Sequence, residues 1–191
     1  MRLNELTLAS RSTRSFDQSR PITEEVLREL IDLTRACPAA MNLQVLKYRM
    51  VFETAEVSAL LEKTRWAAAL SQKMPPEGHE PSGFIVICHD VSLAEMRPIF
   101  QIDVGIVAQT MMLGACERGF GGCIIGSAKP EEVSALLSLP SHLVPTLILG
   151  LGTPDETVIL TDAKDGEVKY YRDENNVHHV PKRPLEELII S

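Results

Sequence analysis

From Pro98 to Ser127 the chain reads PIFQIDVGIVAQTMMLGACERGFGGCIIGS, and no other stretch limits the possible folds as much. Ile99, Ile102, Ile106, Met112 and Leu113, with the small residues Gly105, Ala108, Gly114 and Ala115, leave almost no continuous polar face. A helix here is predicted to be the core helix, buried on most sides. Gly119, Gly121 and Gly122 interrupt it where a left-handed turn is needed, and Cys123-Ile124-Ile125-Gly126 follows as a short apolar strand. A strand ending in Gly-Ser beside such a helix lets backbone N–H groups approach a flat ligand closely. The same glycines also read as a plain helix stop and corner.

A chain of 191 residues is long enough for one domain with a real core and short for two. Its net charge of −7 argues against a nucleic-acid or anionic-membrane surface, so neither partner is expected. Met1-Arg2 leads into polar residues, and no apolar run approaches the roughly 18 residues of a membrane span, which predicts a cytoplasmic protein. Cys37, Cys88, Cys116 and Cys123 form no C-x-x-C pair, and the five histidines show no ligand spacing. Neither a metal nor a disulfide framework is expected.

In chain order, Leu3 to Leu8 reads as a short helix leading into Ser10-Arg11-Ser12-Thr13-Arg14-Ser15-Phe16. Two arginines interleaved with hydroxyls can hold a phosphate through Arg11 and the Ser12 hydroxyl, or form a solvated basic turn. Thr23 caps a helix with an apolar stripe at Val26, Leu27, Leu30 and Ile31 that ends near Ala36, ahead of Pro38. Small residues in Pro38-Ala39-Ala40 would let a ligand lie on the backbone, with Asn42 and Gln44 offering donors and acceptors. Lys47 to Glu53 alternates as a strand, and Ala55 to Lys63 has helical spacing that Trp66 to Leu70 extends. Met74 to Pro81 reads as a mobile loop, and this loop and Trp66 are where substrate contacts are expected. Gly83 to Cys88 and Thr146 to Gly152 are buried strands, and Pro130 to Leu137 is a short helix. Near the end, Val168 to Asp173 and Val177 to Val180 flank a hairpin turn, and an apolar tail follows Lys182-Arg183.

The order of these clusters resembles the FMN-dependent nitroreductase family across nearly the whole chain. The resemblance rests on Arg11 to Phe16, Pro38 to Gln44, Asp103, Gly119 to Gly126, Leu149 to Gly152 and Lys182 to Leu188. It implies an α+β fold: a central, mostly antiparallel sheet flanked by helices, in one domain over residues 1–191. It also implies an intertwined homodimer in which a C-terminal extension, about 167–191, is exchanged with the partner subunit. By the same resemblance, Arg11 and Ser12, with Lys182 and Arg183, hold the FMN phosphate, Thr13 is a further cofactor-binding residue, and Arg14 lies at the pyrimidine edge near N1 and O2. Pro38, Ala39, Ala40 and Asn42 would line one side, Ile125 would pack on the ring, and the backbone of Gly126 and Ser127 would address N5 and O4.

Three positions depart from the family pattern. Ser10 stands where a second basic residue is frequent, Ala39 where serine is common, and Val45-Leu46 where Pro-Trp is favoured. The implied activity is hydride transfer from NAD(P)H through FMN to nitroaromatics, quinones or similar oxidised small molecules, with the flavin carrying the chemistry and no catalytic side chain required. The alternatives are a flavoprotein of this fold with another redox reaction, such as dehalogenation, ring oxidation or flavin fragmentation, and a non-catalytic flavin-binding protein.

Overall fold

A computed structural model describes residues 1–70 and 72–190. After helix α1 (Leu3–Ala9), strand β1 (Phe16–Asp17) leads to helix α2 (Glu24–Leu33), where the Thr23 hydroxyl accepts the Val26 N–H at 3.3 Å. Two 3-10 turns, Thr34–Ala36 and Ala40–Asn42, precede strand β2 (Leu46–Val51). Helix α3 (Thr54–Leu61), strand β3 (Gly83–Asp90), helix α4 (Pro98–Glu117) and strand β4 (Gly121–Ile125) follow. Helix α5 (Pro130–Leu136), strand β5 (Leu143–Pro154), strand β6 (Val158–Asp162), strand β7 (Tyr171–Arg172), strand β8 (His178–Lys182) and helix α6 (Leu185–Leu188) complete the chain.

The long strand β5 organises the sheet. It pairs antiparallel with β3 on one edge and with β4 and then β1 on the other, and β2 pairs antiparallel with the far edge of β3. The unbroken apolar run of β3 splits by period two. Phe84, Val86 and Cys88 enter a core with Phe16, Val57, Leu60, Trp66 and Val133, while Ile85 and Ile87 enter another with Leu27, Leu30, Val104 and Met111. A sheet buried on both faces needs helices on both, which is the expected α+β arrangement with a mostly antiparallel sheet. The smaller sheet pairs β6 with β8 in parallel and β7 with β8 antiparallel, so the C-terminal segment from 171 to 182 lies against its own chain.

Several expectations need correction. Helix α4 is buried along Phe100, Asp103, Val104, Val107, Met111 and Ala115, but Ile99 and Ile102 face outward, Ile102 being 57% exposed. The helix therefore has one open apolar face. It is long and apolar enough to cross a membrane, and half of its apolar window is buried inside this fold. Trp66 to Leu70 does not extend α3: Ala67 has φ +45°, and Trp66 turns inward to meet Phe16 edge-on at 6.2 Å. Trp66 is 7% exposed and lines, with Met74 and Pro75, a cavity of about 970 Å³. Met74 to Pro81 is irregular but tethered, with Met74 in the core, the Phe16 N–H donating to the His79 carbonyl at 3.1 Å, and His79 2.7 Å from Asp155. Of the three glycines expected to break the α4 helix, only Gly119, at φ +76°, makes a left-handed turn. Gly121 and Gly122 already belong to β4, and Gly122 is there because a Cβ would lie 2.3 Å from the Gly150 carbonyl oxygen of β5.

Candidate functional site

Arg14 is held by contacts from several separate segments. The segment before it runs beside β4: Ser12 bridges Gly122, and the Thr13 N–H donates to the Gly122 carbonyl at 2.7 Å. The Arg14 N–H donates to the Glu156 carboxylate. Its guanidinium Nη1 donates to the Ser12 carbonyl at 3.2 Å and lies 3.3 Å from His178 Nε2, and Cζ sits 5.3 Å from the centre of the Tyr170 ring. Among the described residues these contacts use Nη1 and not Nη2. Arg172 pairs with the same Glu156 carboxylate, their side chains being 6% and 2% exposed. Burial pushes the Cys123 thiol up, while Arg14 beside it works the other way.

Arg11 takes another direction. Its Nη2 donates to the Thr7 carbonyl at 2.5 Å, at the open end of α1, and its charge lowers the Cys116 thiol pKa against the larger effect of burial. The Arg11 Nε is buried and without a partner. Ser10, where a second cation was expected by resemblance, donates its hydroxyl to the Met112 carbonyl of α4 at 3.5 Å.

At the end of β4 the pleat alternates. Ile125, expected to pack on the ring, is 3% exposed and sits in the core, while Ile124, 42% exposed, faces outward. Gly126 and Ser127 are exposed. A Cβ on Gly126 would meet only Leu147 Cδ1, at 3.9 Å, so the backbone is open to a flat group. The Ser127 hydroxyl is already used, accepting the Arg65 N–H at 3.0 Å and donating to the Arg65 carbonyl at 2.9 Å.

A second cluster surrounds Asp103. Its carboxylate, 4% exposed, accepts the Ala40 N–H with Oδ1 at 3.0 Å and Oδ2 at 3.1 Å. Met41, Asn42 and Gln44 all have φ between +50° and +54°, a backbone that L residues adopt at a cost of about 1 kcal/mol or more each. Pro38, Ala39 and Asn42 line a cavity of about 240 Å³ with Tyr48, Asp103 and Val107. Burial raises the Tyr48 phenol pKa, opposed by a hydrogen bond from Thr34.

The structure therefore brings Ser12, Thr13 and Arg14 together with β4 and the strands after Glu156, and gathers Pro38, Ala39, Ala40 and Asn42 around Asp103. Among the described residues no hydrogen bond or ion pair joins these two groups. Lys182 lies opposite Asp162 on β8, and Arg183 pairs with Glu187 at 2.9 Å; neither bonds to Arg11 or Ser12. Tyr170, Arg172 and His178 are expected from the sequence only as parts of a hairpin, and Glu156 is not singled out there. Nothing in the sequence distinguishes Glu156 from its neighbour Asp155, just past the Gly150-Leu151-Gly152-Thr153-Pro154 strand end.

The fold and sequence have close counterparts. The chain is 31% identical over 171 residues to a Cr(VI) reductase of Pseudomonas sp. (strain G-1), covering 80% of this chain and 66% of that protein. It thus spans just under two thirds of that relative's length. It is 26% identical to an oxygen-insensitive NADPH nitroreductase of Salmonella typhimurium, covering 98% of this chain and 77% of the other. A nitroreductase family protein from Streptococcus pneumoniae TIGR4 shares the fold with a TM-score of 0.71 at 18% identity, each chain fully covered. The Nitroreductase family model matches residues 9–153, from the turn that carries Arg11 and Arg14 to the end of β5, and the chain belongs to that family.

Proposed function

We propose that this protein is an NAD(P)H-dependent FMN oxidoreductase that reduces oxidised small molecules such as nitroaromatics and quinones. Relatives are named as an oxygen-insensitive NADPH nitroreductase, an NADPH-flavin oxidoreductase and an FMN reductase, which supports the reading. The observation that carries it is Arg14: a guanidinium held on one side by Ser12, His178 and Tyr170, near a strand that ends at the open Gly126 backbone.

These residues fit FMN. The buried, unpartnered Nε atoms of Arg11 and Arg14 offer donors to an anionic, hydrogen-bond-accepting cofactor, and no side chain fills the space above Gly126. When bound, FMN supplies reversible hydride acceptance from NAD(P)H and electron release to the oxidised substrate. Arg14 stabilises negative charge at the pyrimidine edge, because a preorganised guanidinium needs no reorientation as that charge develops. Gly126 and Ser127 present main-chain groups to the opposite edge, and Ile124 supplies apolar cover. Ser12, Thr13 and Arg11 hold the phosphate with Lys182 and Arg183, and Asp103 fixes the Pro38–Asn42 wall.

The separation of the Arg14 and Asp103 groups within one chain supports a site shared by two copies. The open face of α4 at Ile99 and Ile102, and Leu185, Leu188, Ile189 and Ile190 beyond β8, are the apolar surfaces for a second copy, while the expected exchange of the whole arm from about 167 is not part of this reading, because β7 and β8 pair within their own chain. A cytoplasmic location belongs to the same proposal, since the described cysteines are all free thiols and NAD(P)H is an intracellular reductant. The absorption spectrum of the purified protein, recorded anaerobically with NADH and then NADPH, tests the function. A yellow protein bleached by either nucleotide is expected; a colourless protein that added FMN does not stabilise would sink the reading.

A further inference from the structure

We propose that His178 is a positioning residue: its imidazole Nε2, carried in by β8, accepts a hydrogen bond from Arg14 and aims that guanidinium at the flavin's pyrimidine edge. The inference rests on the FMN reading above and assigns a role to the C-terminal sheet, which the family match over residues 9–153 does not reach.

Most of what holds Arg14 comes from beyond that match. Glu156 takes the Arg14 N–H and the Arg172 guanidinium on one carboxylate, tying the N-terminal turn to β7. The His178 N–H donates to the Thr157 carbonyl at 2.8 Å, which ties β8 to the residue that follows Glu156. From there Nε2 reaches Arg14 Nη1 at 3.3 Å, while the Tyr170 ring stands 5.3 Å from the imidazole and 5.3 Å from Arg14 Cζ. The guanidinium is thus gripped at Nη1 and covered on one face, and a ligand meets the remaining edge.

A guanidinium only donates, so Nε2 must carry a lone pair and the imidazole proton must sit on Nδ1. His178 is 1% exposed, and its Nδ1 is buried with no partner among the described residues. The titratable and charged groups facing the ring are Arg14 from the N-terminal turn, Arg172 from β7 and the neighbouring His179 on β8, with Glu156 balancing the two arginines. Burial first, then Arg14, Arg172 and His179, push the His178 pKa down to about 4. An imidazolium would turn a donor toward Arg14, break the grip and repel the guanidinium.

The test begins on the flavin-free protein. Nitrogen NMR of the imidazoles, from pH 7 down to pH 4, should find His178 as the Nδ1–H tautomer throughout most of that range, and Arg14→Met should raise its pKa toward the ordinary 6.5. A His178 that titrates near 6.5 in the wild type overturns the inference by itself. FMN binding, read by quenching of flavin fluorescence, should weaken about tenfold in His178→Phe, which keeps the bulk and removes the acceptor. His178→Gln, whose Oε1 can accept from Arg14, should stay within about threefold of wild type, and should not share the wild type's loss of FMN as pH approaches 4. The flavin midpoint potential should fall in His178→Phe and recover in His178→Gln. Equal FMN affinity and potential in all three proteins overturns the inference while leaving the flavoprotein reading intact, whereas a wild type that binds no FMN overturns both. Should His178→Phe fail to fold, the imidazole titration and the His178→Gln comparison still decide it.

Discussion

Asp103 accepts the Ala40 N–H with both carboxylate oxygens, at 3.0 and 3.1 Å, and so fastens a left-handed stretch of backbone to the core helix. The stretch has little else to hold it, since Met41 is exposed and the Gln44 side chain bonds only within the turn. Asp103→Ala should cost about 2 kcal/mol in urea unfolding, because a buried N–H loses its acceptor. Asp103→Asn, which keeps one oxygen, should cost less than half of that. If the two variants prove equal, Asp103 is not the anchor of this turn.

Two glycines on one strand and its continuation separate folding from binding. A Cβ at Gly122 would lie 2.3 Å from a backbone carbonyl oxygen that has no freedom to move away, so Gly122→Ala should lose about 3 kcal/mol. Gly126→Ala meets nothing closer than 3.9 Å and should melt within a degree or two of wild type. Its new methyl would stand where the flavin edge is proposed to approach, and FMN affinity should drop at least tenfold. Normal FMN affinity in Gly126→Ala would move the ligand away from the end of β4.

How far the sequence discloses this molecule depends on the range of each interaction. The core helix, the strands Gly83 to Cys88 and Thr146 to Gly152, and the Thr23 cap all follow from local periodicity and are found in place. Trp66 misled because its burial against Phe16 and Gly150 depends on partners about fifty and eighty-four residues away. Ile124 and Ile125 pose the same kind of problem: a two-residue apolar step does not say which side chain points inward until the pairing with β5 sets the register. Arg14 was legible as one member of a basic turn, but Glu156, Arg172 and His178, which hold it, lie more than 140 residues downstream in a segment with no motif of its own.

Stability should depend on pH through His178. Its folded pKa of about 4 lies below the ordinary 6.5, so the unfolded chain takes up a proton that the folded chain refuses. The stabilisation is complete above pH 6.5 and drains away as pH falls toward 4. At about 1.4 kcal/mol per pKa unit, the loss reaches about 3.5 kcal/mol at full protonation. Ser19, Ser92 and His179 hold the Asp17, Asp90 and Asp173 carboxyls below their ordinary 3.8, so those groups add their own losses at lower pH. Urea unfolding at pH 7, 6 and 5 isolates the histidine, and His178→Gln should flatten the slope there. An unchanged slope in that variant would assign the dependence to another group.

The outward face of α4 offers the last test. Ile99 and Ile102 are spaced three apart on one side of the helix, with Gly105 continuing the row, and all three are exposed in a single chain. An apolar row on the central helix is what a second copy would cover, and burying Ile102 alone in such an interface is worth on the order of 2 kcal/mol per protomer. Ile102→Glu forces a carboxylate into that contact without touching the core, so the melting of the isolated chain should change little while the sedimentation coefficient falls from dimer to monomer. If the site is shared between copies as proposed, FMN affinity should fall with dimerisation, and both should recover together as protein concentration rises. A monomer that keeps its FMN would leave the Asp103 loop and the Arg14 cluster of one chain to hold the flavin alone, and the shared-site reading would be lost.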